Sequence, residues 1–292
     1  MIDLHAHTTA SDGSLTPAEL VAHAAELGLR AVAITDHDTI DGLAEALTAA
    51  RRYGIEVVPG VEIPLEFASF TLDMLGYFLC GPPTQELHDQ LRSLRRERDE
   101  RNAQILAKLA GLGYPLRREE LAAAAGGEAV GRPHIGEALR RRGYVSSITE
   151  AFERLLRRGA PAFVERRRLS LPSAMRLIHE SGGVAVIAHP GIIRTDSAGL
   201  RRLLREGVRQ GLVGLECSYP LHDDRTTEQC LALAAEYGLV ATGGSDFHGA
   251  IKPAIQLGHG SGGQPIPDEM LDRLKERCAR VASTMTRVPP GV

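Results

Sequence analysis

The 292-residue chain has no tryptophan, few aromatic residues and only four cysteines. The cysteines, Cys80, Cys217, Cys230 and Cys278, include no Cys-x-x-Cys pair. This spacing argues against a zinc knuckle and a disulfide framework, so we expect reduced and mostly buried thiols. The sequence also lacks an apolar run long enough to span a membrane and a basic amino-terminal region typical of a signal peptide. We therefore expect a cytoplasmic protein with no membrane partner.

Positive charge is concentrated in the middle of the chain. Residues 81–168 carry 18 Lys and Arg against 12 Asp and Glu, whereas the remainder carries 16 against 25. Long solvated helices often carry many charges, so a single arginine there indicates little. A surplus confined to one segment nevertheless favours an anionic ligand.

Apolar runs of strand length alternate with helical patterns along most of the chain, which predicts an α/β fold with a parallel sheet, open or closed into a barrel. After Gly81-Pro82-Pro83 the pattern changes to helices at about 86–112, 117–125, 134–142 and 148–158. We therefore predict a regular scaffold of residues 1–80 and 166–292 and a helical insertion, or cap, of residues 81–165. The predicted strands lie at 1–5, 31–35, 55–61, 70–79, 184–188, 212–217 and 239–243, with a further apolar run at 254–258.

Two histidines separated by one residue end the first predicted strand. Because side chains on a strand alternate between its faces, His5 and His7 project to the same side and can bind one metal ion. An isolated His-x-His is equally compatible with two solvated or hydrogen-bonded histidines. Four other predicted strands also end in imidazoles or carboxylates, namely Asp36, His37 and Asp38; Glu62; His189; and Asp246 and His248.

Polar groups at five strand ends are too many to explain by packing alone. Ligand and catalytic groups of parallel α/β folds collect at the carboxyl ends of the strands. Imidazoles and carboxylates without thiolates suit Mn, Zn or Fe, and several anionic ligands make room for more than one ion. The sequence thus predicts a metal centre at this end of the sheet.

The segments around these residues resemble the PHP (polymerase and histidinol phosphatase) family of phosphoesterases. The resemblance implies a distorted seven-stranded (β/α) barrel of the PHP/amidohydrolase type, with a metal cluster at the carboxyl ends of the strands. It follows the order of the chain and comprises Asp3-Leu4-His5-Ala6-His7, Ser11-Asp12-Gly13, Ile34-Thr35-Asp36-His37-Asp38, Gly60-Val61-Glu62, Ala188-His189-Pro190 and Gly243-Gly244-Ser245-Asp246-Phe247-His248.

The resemblance also implies a role for each side chain. A second ion is held by residues that match Asp12, His37 and His248, and Glu62 bridges the two ions. His189 matches a ligand of a third site, but Asp73 stands where the family usually has a histidine partner. We therefore expect two divalent ions, with Mn preferred and Zn, Fe or Mg as alternatives. The ligands implied for the first ion are His5, His7, Glu62 and Asp246.

A centre of two close divalent ions indicates that the protein hydrolyses a phosphomonoester. They lower the pKa of a bound water from about 16 toward about 7 and neutralise the phosphoryl oxygens. A metal-bound hydroxide can then attack in line, so no protein nucleophile is required. His189 is a candidate for protonating the leaving alkoxide or for binding phosphate, and Asp73 lies beside it as a second candidate catalytic group.

Candidate substrate contacts lie mostly in the insertion. Arg132 and His134 precede a short helix whose amino terminus could hold an anion, and the resemblance implies that they contact phosphate or another part of the substrate. Arg194 and Lys252, on loops after two scaffold strands, are further candidates. A polar stripe at helical spacing, equally explained as a solvated face, is formed by Arg95, Arg98, Arg101 and Asn102.

Asp73 in place of histidine and the single helical insertion resemble one subgroup of the family, the 3',5'-nucleoside bisphosphate phosphatases. This resemblance implies removal of the 3'-phosphate from compounds such as adenosine 3',5'-bisphosphate, and 5'-3' trimming of short 5'-phosphorylated RNA by some relatives. A second phosphate on the substrate explains a basic insertion.

Two alternatives stay open. A histidinol phosphate phosphatase prefers a small cationic substrate, which the basic insertion does not favour. A non-catalytic, nucleic-acid-binding PHP module is the other, and the nearly complete ligand set disfavours it. Monomer and dimer are equally compatible with the sequence.

Overall fold

The computed structural model describes residues 1–125 and 130–285. Seven strands lie side by side in the order β1-β2-β3-β4-β6-β7-β8, and the short β5 pairs with the far end of β3. Hydrogen bonds from Leu4 N to Gly243 O and from Asp246 N to His5 O join the first and last segments, so the sheet is a nearly closed barrel as expected. The strands are β1 (Ile2–Asp3), β2 (Ala31–Ile34), β3 (Glu56–Phe67), β4 (Phe70–Tyr77), β5 (Leu169–Ser170), β6 (Val184–Ile187), β7 (Gly214–Ser218) and β8 (Val240–Gly243).

The barrel is not uniformly parallel, which corrects the sequence prediction. β4 runs antiparallel to both β3 and β6, because a two-residue turn after Phe67 folds it back on β3 as a hairpin. β3 is also longer than predicted, so Glu62 lies within the strand and not after it. Asp73 lies near the start of β4, and the reversal brings it to the carboxyl end of the parallel strands.

Helices cover the barrel and form the insertion. The predicted start of the first helix is confirmed by a capping box, in which Thr16 Oγ1 accepts from Glu19 N and Glu19 Oε2 accepts from Thr16 N. The run 254–258 is not a strand, since Pro253 lacks an N–H before it and Gly258 ends it with a φ of +81°. The helices are α1 (Pro17–Glu26), α2 (Leu43–Tyr53), α3 (Gln85–Gly111), α4 (Arg118–Ala125), α5 (Arg132–Arg141), α6 (Ile148–Ala151), α7 (Leu171–Glu180), α8 (Ser197–Arg209), α9 (Asp224–Tyr237) and α10 (Glu269–Met285).

No helix within the described residues is long and apolar enough to span a membrane. The last predicted insertion helix is split: α6 continues into a π-helical turn, Phe152–Leu156.

The last helix, α10, covers the amino-terminal end of the barrel. Its Leu271 and Leu274 are fully buried in a cluster with apolar side chains of β1, β2, β3, β4 and β6. At the edge of this contact Lys275 pairs with Glu56 at the start of β3. The opposite end, where the parallel strands finish, is left for the polar site.

The insertion has a hydrophobic cluster of its own. Ile105 and Leu109 on the second half of α3 pack with apolar residues of α4, α5 and α6. Leu87 and Leu91 on the first half of α3 instead join the core between barrel and helices. The division into 1–80 with 166–292 and 81–165 stays a prediction. The cluster that begins at Ile105 supports a separate insertion, whereas Leu87 and Leu91 pack with the barrel core. Residues 126–129 of the insertion and the end of the first unit lie outside the described residues.

One cysteine pair contradicts the expectation of reduced thiols. Cys80, just after β4, is joined by a disulfide to Cys278 on α10, 198 residues further along the chain. The antiparallel course of β4 carries Cys80 to the amino-terminal end of the barrel, where α10 packs. Sequence spacing cannot reveal such a pair. Cys217 and Cys230 are buried free thiols, as expected.

We predict that Leu274→Ala lowers the free energy of unfolding by about 2–5 kcal/mol, because it removes buried methyl groups and leaves a cavity under the barrel. The control is Leu231→Ala on α9, where the side chain is 42% exposed and a change of at most about 0.5 kcal/mol is expected. Urea denaturation followed by circular dichroism measures both. Equal losses in the two variants would contradict the role given to α10.

Candidate active site

The side chains predicted as metal ligands converge at the carboxyl end of the barrel. Their nitrogen and oxygen atoms form three overlapping groups, and within each group the atoms lie within 4.8 Å of one another. All are buried except His37, which is half-buried. The groups are His7, Asp12, His37 and His248; His5, Glu62 and His189; and His5, His7 and Asp246.

Glu62 lies at the centre of the arrangement. Its Oε2 is 3.3 Å from both His5 Nε2 and His7 Nε2, and 3.0 Å from His37 Nδ1. Its Oε1 is 3.1 Å from His189 Nε2. One buried carboxylate thus contacts imidazoles that follow three different strands.

Two aspartates complete the polar surface on either side of His7. Asp246 Oδ1 lies 3.2 Å from His7 Nε2 and 3.4 Å from His248 Nδ1. Asp12 Oδ1 lies 3.3 Å from His248 Nε2, and Asp12 Oδ2 lies 3.9 Å from His37 Nε2. This second set brings together the residues that the sequence assigned to a second ion.

The carboxylates are held in their charged form. Burial disfavours charge on Glu62, but His37 and His5 outweigh it and hold the pKa of this carboxyl well below its usual range. Burial also disfavours the charged form of His7, yet Asp246 and Glu62 raise its pKa to about 9. The protons on these imidazoles offset the buried carboxylates, and a metal ion that binds the same atoms must displace them.

The backbone is strained at three of the strand ends. Asp38, His189 and Asp246, which follow β2, β6 and β8, have φ values of 54°, 29° and 57°. Left-handed conformations are sparsely populated by residues with a side chain and concentrate at functional sites. Close packing also requires glycine at position 244, because a Cβ there would lie 2.2 Å from the Cβ of His5.

Asp73 and His189 form the part of the site where the sequence departs from the family pattern. Asp73 Oδ2 lies 4.0 Å from His189 Nε2. Burial and the nearby charge of Glu62 raise the pKa of the Asp73 carboxyl. Burial disfavours the charged form of His189, but Glu62 and Asp73 outweigh burial and raise its pKa.

Asp38 joins the insertion to the barrel beside this cluster. Its Oδ2 accepts hydrogen bonds from Arg98 on α3 and from Arg166, which follows the insertion. Asp38 is fully buried and directly follows His37, so both guanidinium groups lie next to the site. Arg98 is therefore not on a solvated face, and Arg166 was missed because its neighbours Arg167 and Arg168 make it look like part of a solvated charge run.

Arg101 is buried among other arginines. Burial and the charges of Arg166, Arg132 and Arg98 lower its pKa to about 9. Its Nε has no hydrogen-bond partner. This group of like charges is an electrostatic cost to the protein that an anionic ligand can offset.

The other predicted substrate residues differ in whether their side chains already contact other groups of the protein. Asn102 accepts from Arg101 and donates to Val130 O, so it supports the arginine. His134 Nδ1 accepts from Gly131 N and caps α5, and Lys252 Nζ lies 2.7 Å from Asp246 Oδ2. Arg194 is exposed and close enough to Arg132 to lower its pKa.

Sequence reasoning missed Glu216 on β7. This residue is fully buried, and its Oε1 lies 3.1 Å from His5 Nδ1. Its Oε2 accepts from His189 N at 2.7 Å. The one feature of the sequence that could have indicated this residue is a single carboxylate within an otherwise apolar strand.

Comparison with known proteins gives consistent results. The model of the PHP domain family matches residues 3–130. A 3',5'-nucleoside bisphosphate phosphatase from Chromobacterium violaceum is 33% identical over 282 residues, which cover 96% of this chain and 99% of that protein. A 5'-3' exoribonuclease from Haemophilus influenzae is 37% identical over 251 residues, covering 84% of this chain and 89% of that protein. Among solved structures, a candidate metal-dependent phosphoesterase from Bifidobacterium adolescentis superposes with a TM-score of 0.79 at 29% identity, covering 94% and 96% of the two chains.

We predict that Asp38→Asn lowers the free energy of unfolding by about 3–5 kcal/mol, because it leaves two buried guanidinium groups without their counter-charge. Asparagine tolerates the left-handed backbone at this position, so the effect reports the lost charge. The control is Glu236→Ala, which breaks an exposed pair with Arg201 and should change stability by at most about 1 kcal/mol. Chemical denaturation compares the two variants, and similar small losses would show that Asp38 is not an anchor.

Proposed function

The chain belongs to the PHP family, and from this premise we propose that it is a metal-dependent phosphomonoesterase acting on 3',5'-nucleoside bisphosphates. It removes the 3'-phosphate and leaves a 5'-nucleotide. The observation that carries the proposal is that Asp38, which directly follows His37 of the buried histidine and carboxylate cluster, binds two members of the buried group of arginines. The cluster suits metal ions and a phosphate undergoing hydrolysis, and the group of arginines suits another phosphate on the same substrate.

The donor atoms fit divalent ions. His5 Nε2, His7 Nε2, Asp12 Oδ1 and Glu62 Oε2 are buried and lack a hydrogen-bond partner. Imidazole nitrogen and carboxylate oxygen without thiolate are the ligands of Mn, Zn and Fe sites. We assign His5, His7, Glu62 and Asp246 to one ion and Asp12, His37 and His248 to the other, with Mn as the preferred metal.

When bound, such ions lower the pKa of water and neutralise the charge on phosphoryl oxygens. The protein contributes orientation and proton transfer. Glu62 and Asp73 raise the pKa of His189, and we propose that this imidazole donates a proton to the leaving 3'-oxygen of the nucleoside. Asp73 Oδ2, 4.0 Å from His189 Nε2, adds negative charge that helps to raise the pKa of this imidazole.

The arginines are proposed to bind the 5'-phosphate. Arg98 and Arg166 are anchored on Asp38, one residue from His37, while burial and neighbouring arginines lower the pKa values of Arg101 and Arg132. Guanidinium groups bind phosphate through paired, charge-assisted hydrogen bonds. His134, Arg194 and Lys252 are proposed as further contacts at the rim.

The comparisons support both a nucleotide and an RNA substrate. One relative is named as a bisphosphate phosphatase and another as a 5'-3' exoribonuclease. The 5'-phosphorylated end of a short RNA offers the same arrangement of a terminal 5'-phosphate and a phosphoester at the 3'-oxygen. We therefore propose trimming of short RNA from its 5' end as a second activity of the same site.

The function is tested by depleting the purified protein of metal, adding back Mn, Zn, Fe or Mg, and assaying three substrates. Adenosine 3',5'-bisphosphate should release phosphate and 5'-AMP fastest with Mn, a 5'-phosphorylated oligoribonucleotide should release mononucleotides, and histidinol phosphate should react least. His5→Ala and Asp246→Ala should lose metal-dependent turnover, since each removes a proposed ligand of the first ion. Metal content is measured by mass spectrometry.

The outcomes separate the alternatives. Faster reaction of histidinol phosphate would favour a histidinol phosphate phosphatase, and full activity of chelated, repurified His5→Ala protein would contradict the metal centre. A folded protein that retains no metal would favour a non-catalytic module.

The role of the arginines gives a separate prediction. Arg101→Gln should lower kcat/KM about 10- to 100-fold more for adenosine 3',5'-bisphosphate than for adenosine 3'-monophosphate, because a charge-assisted hydrogen bond to phosphate is worth about 1.5–3 kcal/mol. The control is Arg118→Gln, also in the insertion, where the side chain is 75% exposed and pairs with Asp99. Equal losses on both substrates would show that Arg101 does not recognise the 5'-phosphate.

A further inference from the structure

We propose that Glu216 is a positioning residue that sets the tautomer of His5 and the backbone of His189 with one carboxylate. This inference rests on the proposed metal-dependent function, which it deepens by naming what orients a ligand and the proposed proton donor. Glu216 lies behind both histidines, on the side away from Glu62. The two histidine rings are stacked, with centroids 5.6 Å apart.

Each oxygen of Glu216 faces a nitrogen. Oε1 is 3.1 Å from His5 Nδ1, and Oε2 is 2.7 Å from His189 N. Both side chains of the first pair are buried, with 0% and 1% exposed. Gly244 makes room for this contact, since a Cβ there would lie 2.8 Å from Glu216 Oε1.

The contact with Oε1 decides which nitrogen of His5 carries the proton. A carboxylate accepts hydrogen bonds and does not donate them, so Nδ1 of His5 is the protonated nitrogen. Nε2 is then the nitrogen left to bind a metal ion, and it faces Glu62 Oε2 at 3.3 Å and Asp246 Oδ1 at 3.7 Å. Without Glu216, the proton of a neutral ring is equally free to sit on Nε2, where it blocks metal binding.

The contact with Oε2 holds a backbone that is unfavourable by itself. His189 has a φ of 29°, a value that residues with a side chain rarely adopt. Its N–H is fixed by Glu216 while its Nε2 lies 3.1 Å from Glu62 Oε1. Glu216 and Glu62 therefore contact the same two histidines, His5 and His189, from opposite sides.

A glutamine in this position has the same size but only one acceptor oxygen. It leaves either His5 Nδ1–H or His189 N–H facing an NH₂ group. Glu216→Gln is thus a test of the carboxylate and not of side-chain volume. The matched control is Tyr77→Phe: Tyr77 is fully buried in the same barrel and donates to Leu4 O at 2.7 Å, outside the proposed ligand set.

The experiment measures the Mn dissociation constants of metal-free wild type, Glu216→Gln and Tyr77→Phe by competition with a chelating indicator, together with their melting temperatures. We expect Glu216→Gln to bind the tighter Mn ion about 10- to 100-fold more weakly, the usual effect of removing a partner behind a metal-binding histidine. Tyr77→Phe should melt at a lower temperature but keep the wild-type dissociation constant. An unchanged dissociation constant in Glu216→Gln, with a lower melting temperature, would make Glu216 a merely structural residue and overturn the inference.

A second measurement needs no variant of Glu216. Long-range ¹H–¹⁵N spectra of histidine-labelled, metal-free wild type, assigned with His5→Gln and recorded at a pH high enough for the His5 ring to be neutral, report which ring nitrogen of His5 carries the proton. Protonated Nδ1 supports the inference and protonated Nε2 overturns it, even if Glu216→Gln fails to fold. Failure of wild type to bind Mn, with Nδ1 protonated, would instead count against the proposed function alone.

Discussion

The site depends on one buried carboxylate, that of Glu62. A charge in a protein interior is costly unless it is paired, and Glu62 is paired with four imidazoles at 3.0–3.3 Å. These imidazoles come from segments that follow β1, β2 and β6, so the barrel must bring three strand ends to the same carboxylate. Asp12 and Asp246 extend the arrangement on both sides. The left-handed backbone of Asp38, His189 and Asp246 occurs where the chain brings these groups together.

A second buried carboxylate, Asp38, connects this site to the insertion. The two arginines that it binds come from before and after the helices of residues 105–162, which have a hydrophobic cluster of their own. The insertion is thereby held at a defined place over the cluster. Because His37 and Asp38 are adjacent, one loop carries both a proposed metal ligand and the anchor of the proposed phosphate contacts. In the proposed function, chemistry and substrate recognition are thus coupled through two neighbouring residues.

Much of the site could be predicted because its residues follow strands that are apolar and short. His5, His7, His189 and Asp246 each stand at the end of such a run, and parallel strands end together. The direction of β4 could not be predicted, since its hairpin turn, Ala68-Ser69, lacks the glycine or asparagine typical of two-residue turns and places Ala68 at a φ of 53°. Arg166 and Glu216 were missed for a related reason. The partner of an arginine in a basic run, or of a carboxylate in a strand, belongs to a distant segment and becomes evident only in the tertiary structure.

The sequence by itself determined the side chains that form the cluster, because strand-end position and residue chemistry are local properties, and its resemblance to the PHP family implied the barrel. Only the tertiary structure decided which atoms face one another. The reversal of β4 places Asp73 opposite His189. Arg98 and Arg101 are buried, whereas the helical pattern alone was equally compatible with exposed side chains. Glu216 lies behind His5, 211 residues away in the sequence. The physical reason is that a side chain's burial and hydrogen-bond partners are set by contacts between segments, which local sequence patterns do not encode.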